Sequence, residues 1–226
     1  VCQQYDIKVI EDATEALGSK YKGKKVGSLG DIGCFSFNGN KLITTGGGGM
    51  LVTDNKDYAD YAKYLSTQAK DDPQNYIHNE IGYNYRLTNI QAAMGLAQLG
   101  HIEEFIAAKR NIAQQYNETF SDVDGITINP EEDWAYNCCW LYTVLIDETK
   151  YGMDSKKLYT SLNEVGVGAR PFWKPIHTMP MYEDCEADIK VANQLWQQGI
   201  NLPCSVGIKE EEIRTVIDKV LQFKRD

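Results

Sequence analysis

The sequence is short of several things at once, and each shortage removes a class of function. No apolar run approaches the roughly 18 residues of a membrane-crossing helix, and no basic stretch followed by an apolar one marks a secretory leader. Positive charge is the minority, with 23 Lys and Arg against 32 Asp and Glu and a net charge of −9. That balance argues against a nucleic-acid backbone or an anionic membrane as partner, while leaving room for a local basic pocket that takes a pyrophosphate. Histidine is scarce, at three residues, and the six cysteines (Cys2, Cys34, Cys138, Cys139, Cys185, Cys204) form no CxxC pair and have no histidine at zinc-ligand spacing. They are expected as reduced core or loop thiols. Cys138 and Cys139 are neighbours, but neighbours in a strand point to opposite faces, so no disulfide is expected there. Repeats and low-complexity tracts are absent too. What remains is an ordinary globular composition, 42% hydrophobic over 226 residues, enough for one large domain or one and a half average ones around a substantial core. The cytoplasm is the default location.

Residues 33–52, GCFSFNGNKLITTGGGGMLV, carry the densest chemistry. Cys34, Phe35 and Phe37 flank Ser36, and 42–45 are rich in β-branched residues, so both halves are expected as strands. Asn38, Gly39 and Asn40 between them are turn residues. Lys41 leaves that turn where the Ser36 hydroxyl and the amides near the four glycines 46–49 can face one ligand, since glycine lets backbone N–H groups approach an anion closely. Two readings follow. Lys41 is either a solvated lysine in a hairpin with a glycine-rich loop, or an amine that forms a Schiff base with a carbonyl.

A second stretch favours the amine. Val9-Ile10-Glu11-Asp12 is an apolar strand ending in two carboxylates, and ligands of open α/β sheets bind outside the carboxyl ends of strands. A pyridoxal ring needs such an acid to hold its pyridinium nitrogen protonated. Asp12 has a plain alternative as the N-cap of a short helix over 13–17.

Three segments, EDATEALGS, GDIGCFSFNGNKLITTGGGGM and HNEIGYNYRLTNIQAAMGLAQL, resemble consecutive signatures of the DegT/DnrJ/StrS family of pyridoxal-phosphate aminotransferases acting on nucleotide-linked keto sugars. The resemblance runs over essentially the whole chain. Within the family, the combination with TQAKDDPQNYIHNEIGYNYRLTN most resembles the legionaminic-acid branch, which aminates C4 of a nucleotide-linked 4-keto-6-deoxy N-acetylhexosamine with glutamate as donor. The resemblance implies fold type I, a partial large domain with a mostly parallel sheet followed by a small α+β domain. It makes Lys41 the Schiff-base lysine and proton shuttle, puts Asp12 on the pyridine nitrogen, and gives the cofactor phosphate to Ser36. It sends Asn84 to the neighbouring subunit's cofactor, so the active sites of a homodimer are shared. Glu15 stands beside the ring where many members have glutamine. Some relatives replace the lysine by histidine and are dehydratases; Lys41 favours transamination.

The chain is also expected to begin mid-domain. Residues 1–5 read like the tail of a helix, and the family's upstream segment, with its ring-stacking aromatic and phosphate-gripping loop, has no counterpart here. Weak or absent cofactor binding by this chain alone is the corresponding expectation. Further on, KYKGKKVG resembles a solvated hairpin tip and 56–65 an amphipathic helix. Residues 67–76 are expected as a loop, with His78, Asn79 and Glu80 as polar candidates after it. Arg86, beside Asn84 among aromatics, suits an anion by its fork geometry. Thr88 with Gln91 forms a capping box for a long helix continuing past 112, its start in the expected dimer interface. Residues 1–120 are expected as the cofactor domain and 121–226 as the small domain, with strands at 125–129, 140–146 and 167–172 and helices at 155–165, 193–198 and 209–223. The loop RPFWKPIHTMPMY is dense in aromatic and basic groups, so it is either a packed interface loop or a surface that meets sugar and phosphate through Arg170, Trp173, Lys174 and His177.

Overall fold

The computed structural model describes residues 1–224, which form two compact units. The first is Val1–Ala107 with Glu131–Trp140, and the second is Ala108–Pro130 with residues from Leu141 onward. The strands in chain order are β1 (Ile10–Asp12), β2 (Lys20–Tyr21), β3 (Lys24–Lys25), β4 (Ile32–Ser36), β5 (Gly49–Val52), β6 (Lys70–Asp72), β7 (Ile77–His78), β8 (Ile126–Ile128), β9 (Ala135–Tyr136), β10 (Tyr142–Ile146), β11 (Arg170–Pro171) and β12 (Gly199–Leu202). The helices are α1 (Lys56–Ser66), α2 (Asn89–Leu99), α3 (Ile102–Phe120), α4 (Glu148–Tyr151), α5 (Ser155–Glu164), α6 (Lys190–Gln198) and α7 (Glu210–Phe223).

The first unit is built around a mixed sheet in the order β1-β4-β5, parallel between β1 and β4 and antiparallel between β4 and β5. Register places Asp12 beside Cys34 and Ser36 beside Gly49, so the acid, the hydroxyl and the glycine run share one region of the sheet. Glu11 takes the opposite role. Its carboxylate accepts the Gly27 N–H at 2.5 Å and the Leu29 N–H at 2.9 Å, folding residues 27–29 against the strand. Gly33 is required there, because a Cβ on it would lie 2.0 Å from the Gly27 carbonyl oxygen. β2 and β3 form the expected hairpin, with Lys22 at φ +48° and Gly23 at φ +80°, as a type I′ turn demands.

Several expectations fail for nameable reasons. Residues 13–17 are turns, because Asp12 accepts the Thr14 N–H and closes a side-chain turn instead of capping a helix. Residues 42–45 are irregular although Ile43 and Thr45 are buried; the main chain of Thr44 is satisfied by the Gln98 side chain, which accepts its N–H at 3.0 Å and donates to its C=O at 2.6 Å. Residues 67–76 are not plain loop, since β6 pairs with β7. Thr88 does cap α2, accepting the Gln91 N–H at 3.3 Å while Gln91 Oε1 accepts the Thr88 N–H at 3.1 Å. The long helix ends at Gly100, however, and restarts as α3.

The second unit has the sheet order β11-β12-β10-β8, antiparallel throughout. Its core joins Val144, Ile146, Leu158, Leu162, Ile200, Leu202, Ile213, Val216 and Val220. Tyr116 stacks on Phe120 and meets Tyr142 at a tilt, with centroids 5.8 and 4.6 Å apart, and its hydroxyl donates to the Pro203 carbonyl at 2.7 Å. Burial pushes the Tyr116 and Tyr151 phenols far up in pKa, so both stay neutral. The expected strand at 167–172 shrinks to Arg170–Pro171, and the strand expected at 140–146 starts at Tyr142.

Candidate active site

Lys41 follows the turn at 38–40, with its N–H donating to the Asn38 carbonyl at 3.1 Å. Its side chain is only 12% exposed and ends in a cleft lined by Thr14, Glu15, Ser36, Cys138 and Trp140. Nζ lies 3.3 Å from Glu15 Oε1 and 3.9 Å from the centre of the Trp140 ring, a cation held between a carboxylate and a π face. The solvated-lysine reading is therefore the weaker one.

Asp12 stands at the end of β1. Hydrogen bonds from Thr14, the side chain first and then the backbone N–H, hold its carboxyl below the usual carboxylate range, and the Lys41 charge adds to this. The group is ionised at neutral pH, the state a pyridinium N–H requires. Ser36 Oγ accepts the Asn38 N–H at 3.3 Å; accepting in this way, the hydroxyl still has its hydrogen to give. The glycine run folds on itself. Gly46 and Gly48 sit at φ +77° and +88°, the Gly46 N–H donates to Thr44 Oγ1 at 2.9 Å, and Thr45 Oγ1 donates to the Gly47 carbonyl. The Gly46 amide thus serves the loop rather than an anion.

Asp12, Glu15, Ser36 and Lys41 are brought together within the first unit. Asn84 and Arg86 are not part of that cleft; both are exposed on the extended segment after β7, where Asn84 forms a bridge with Thr67. Polar residues near them fasten the segment: Glu80 accepts the Tyr61 hydroxyl at 2.6 Å, Asp71 accepts the Asn79 N–H at 2.7 Å, and His78 Nδ1 lies 2.7 Å from the Gln68 carbonyl. In the second unit Arg170 and Lys174 are exposed and Trp173 is 64% exposed, while His177 Nδ1 is buried with no hydrogen-bond partner among the described residues.

The sequence reading overlooked Trp140, taken there as the first residue of a strand. Its position depends on Cys139, a non-glycine residue at φ +52°, which costs about 1–2 kcal/mol. The strain is held by Asn137 Oδ1 accepting the Cys139 N–H at 2.8 Å and Ser19 Oγ accepting the Cys138 N–H at 3.0 Å. Cys138 and Cys139 thus lie in irregular backbone rather than in a strand, and none of the six cysteines is in a disulfide.

The sequence profile of the DegT/DnrJ/EryC1/StrS aminotransferase family matches residues 1–221. The chain belongs to this family. It is similar to the GDP-perosamine synthase of Escherichia coli O157:H7, at 39% identity over 218 residues, covering 96% of this chain and 58% of that protein. It is also similar to the GDP-perosamine synthase of Caulobacter vibrioides, at 39% over 228 residues, covering 98% of this chain and 61% of that protein. Among solved structures, Helicobacter pylori PseC, an aminotransferase involved in the biosynthesis of pseudoaminic acid, matches with a TM-score of 0.90 and 29% identity over 99% of this chain and 61% of that one. The chain spans about three fifths of the length of these relatives. Its fold is the corresponding part of the fold type I transferases, mixed α/β in the first unit and α+β in the second. Against that background the donor set suits pyridoxal phosphate: an ionised aspartate and a serine hydroxyl on neighbouring strands, and beside them the Lys41 amine in its cleft. Glu15 is the unusual member, adding a second negative charge beside the amine.

Proposed function

We propose that this chain carries the lysine-bearing part of a pyridoxal-phosphate-dependent aminotransferase that moves an amino group from glutamate to C4 of a nucleotide-linked 4-keto-6-deoxy hexose. The observation that carries this reading is Lys41, its Nζ recessed in a cleft with the ionised Asp12 and Ser36 at hand. The cofactor, when bound, supplies an electron sink for the carbanion formed at the substrate carbon. Asp12 would hold its ring nitrogen and Ser36 its phosphate. Lys41 would carry its carbonyl carbon and then move a proton at Nζ, and Glu15 would sit beside the ring. Residues 1–120 are read as cofactor domain and 121–226 as small domain. Arg86, Arg170, Trp173, Lys174 and His177 are the proposed contacts to nucleotide and sugar, and Asn84 is the proposed contribution to a neighbouring copy's site in a homodimer. The six free thiols support a cytoplasmic setting; among the described residues no helix is long and apolar enough to cross a membrane.

The perosamine synthases support a sugar-nucleotide substrate, and the lysine itself speaks against the dehydratase alternative. The test is to incubate the chain with pyridoxal phosphate, reduce with borohydride and map the adduct by peptide mass. Modification confined to Lys41, and lost in Lys41→Arg, is the expected result. Labelling spread over the exposed lysines 22, 24 and 25, with Lys41 unmodified, would sink the reading.

A further inference from the structure

Trp140 and Lys41 are joined twice. The indole N–H donates to the Asn40 carbonyl at 2.7 Å, 100 residues away in sequence, and that carbonyl belongs to the residue immediately before the lysine. The face of the same ring then meets Lys41 Nζ at 3.9 Å. One contact fixes where the lysine's backbone starts and the other where its side chain ends. The ring itself is 8% exposed, set by the left-handed Cys139 before it. Glu15 approaches the amine at 3.3 Å with a side chain 52% exposed, a solvent-facing counter-ion where Trp140 is buried.

We propose that Trp140 is the positioning residue of Lys41, holding its amine at one place in the cleft so that it meets a carbonyl carbon without a conformational search. This rests on the reading of Lys41 as the carbonyl-attacking amine. A long flexible side chain otherwise spreads over many rotamers, and a π face attracts an ammonium more strongly than a neutral amine. The ring therefore holds the charged form in place and loosens its grip once the ammonium has passed one proton to solvent. The amine then adds to the carbonyl carbon, the C–O bond breaks, and the oxygen leaves as water with the amine's two remaining hydrogens as the C=N bond forms.

The experiment labels all lysines by reductive methylation with ¹³C-formaldehyde and follows the methyl resonances by NMR, assigning Lys41 by its disappearance in Lys41→Arg. In the methylated protein with Trp140 intact the Lys41 methyls are expected upfield of the other lysines, shifted by the ring current of Trp140. The shift is expected to vanish in Trp140→Leu and Trp140→Met and to survive in part in Trp140→Phe, which keeps a π face. The rate of the borohydride-trapped pyridoxal phosphate adduct on Lys41 should fall on the order of tenfold in the first two variants and recover in the third. Circular dichroism establishes which variants fold; the methylated protein with Trp140 intact alone already decides whether the ring current is present. Absence of the upfield resonance, or unchanged labelling in folded Trp140→Met, overturns the inference while Lys41 keeps its role. An upfield resonance with no adduct on Lys41 overturns the role of Lys41 and the inference with it.

Discussion

In the second unit every residue of β12 is buried and β10 alternates buried with half-buried along its length. In the first unit β1 leaves Ile10 68% exposed, β5 leaves Met50 at 50% and Leu51 at 42%, and neither α1 nor α2 has a buried residue. The candidate chemistry lies in the less buried unit. There the fixing forces are polar and specific: Glu11 on the 27–29 turn, Thr14 on Asp12, Gln98 on Thr44, Trp140 on Asn40. Where apolar burial is thin, such directional contacts keep a group in place, and they also leave the region more open to local unfolding.

The comparison breaks most visibly at Leu158, which is fully buried in α5. Leu158→Ala is expected to cost about 2–5 kcal/mol, read as a lowered urea midpoint. Leu96→Ala, at a residue 73% exposed in α2, is expected to change stability by no more than about 0.5 kcal/mol. A large, concentration-dependent loss at Leu96 would instead mean that the α2 face is covered in solution, as the proposed homodimer requires. Next in size, Thr88→Ala removes the capping box of α2 and should cost about 1 kcal/mol, measurable in the same unfolding curves.

The smallest effect tests the polar half of the comparison. The carboxyl of Asp12 has a pKa depressed in the folded chain by Thr14 and then by the Lys41 charge. Its stabilising contribution is therefore complete above the unfolded carboxylate value of about 3.9 and is lost as pH falls through the lower folded value. Asp12→Asn should show a deficit at pH 7 that closes below about pH 4, as seen by unfolding at a series of pH values. A deficit independent of pH would assign Asp12 a purely steric role. Asp154, held low first by the Lys157 N–H, provides the matching group in the second unit.

Much of this was legible in the sequence because it rests on local rules. The capping box at Thr88, the hairpin at Gly23, the strand before Ser36 and the helix ending at Phe223 all follow from residue types a few positions apart. Lys41, Asp12 and Ser36 could be paired because strand ends and a turn set their positions. Glu15 was visible as a residue, but its ion pair with Lys41 was not, since nothing local fixes where a surface carboxylate points. Trp140 and Gln98 were missed for a related reason: each acts on a backbone group far off in sequence, Asn40 across 100 residues and Thr44 across 54. The helix expected at 13–17 failed where a side chain competed successfully for a backbone donor.

Gln98 has one further consequence. Its amide takes both main-chain polar groups of Thr44, as an adjacent strand would, and Gly95 one turn earlier lies so close to Thr45 that a Cβ there would fall 2.9 Å from Thr45 Cγ2. Helix α2 and the segment leading out of Lys41 are therefore geared together. A displacement of the helix along its axis would break both hydrogen bonds to the Thr44 main chain, three residues beyond Lys41.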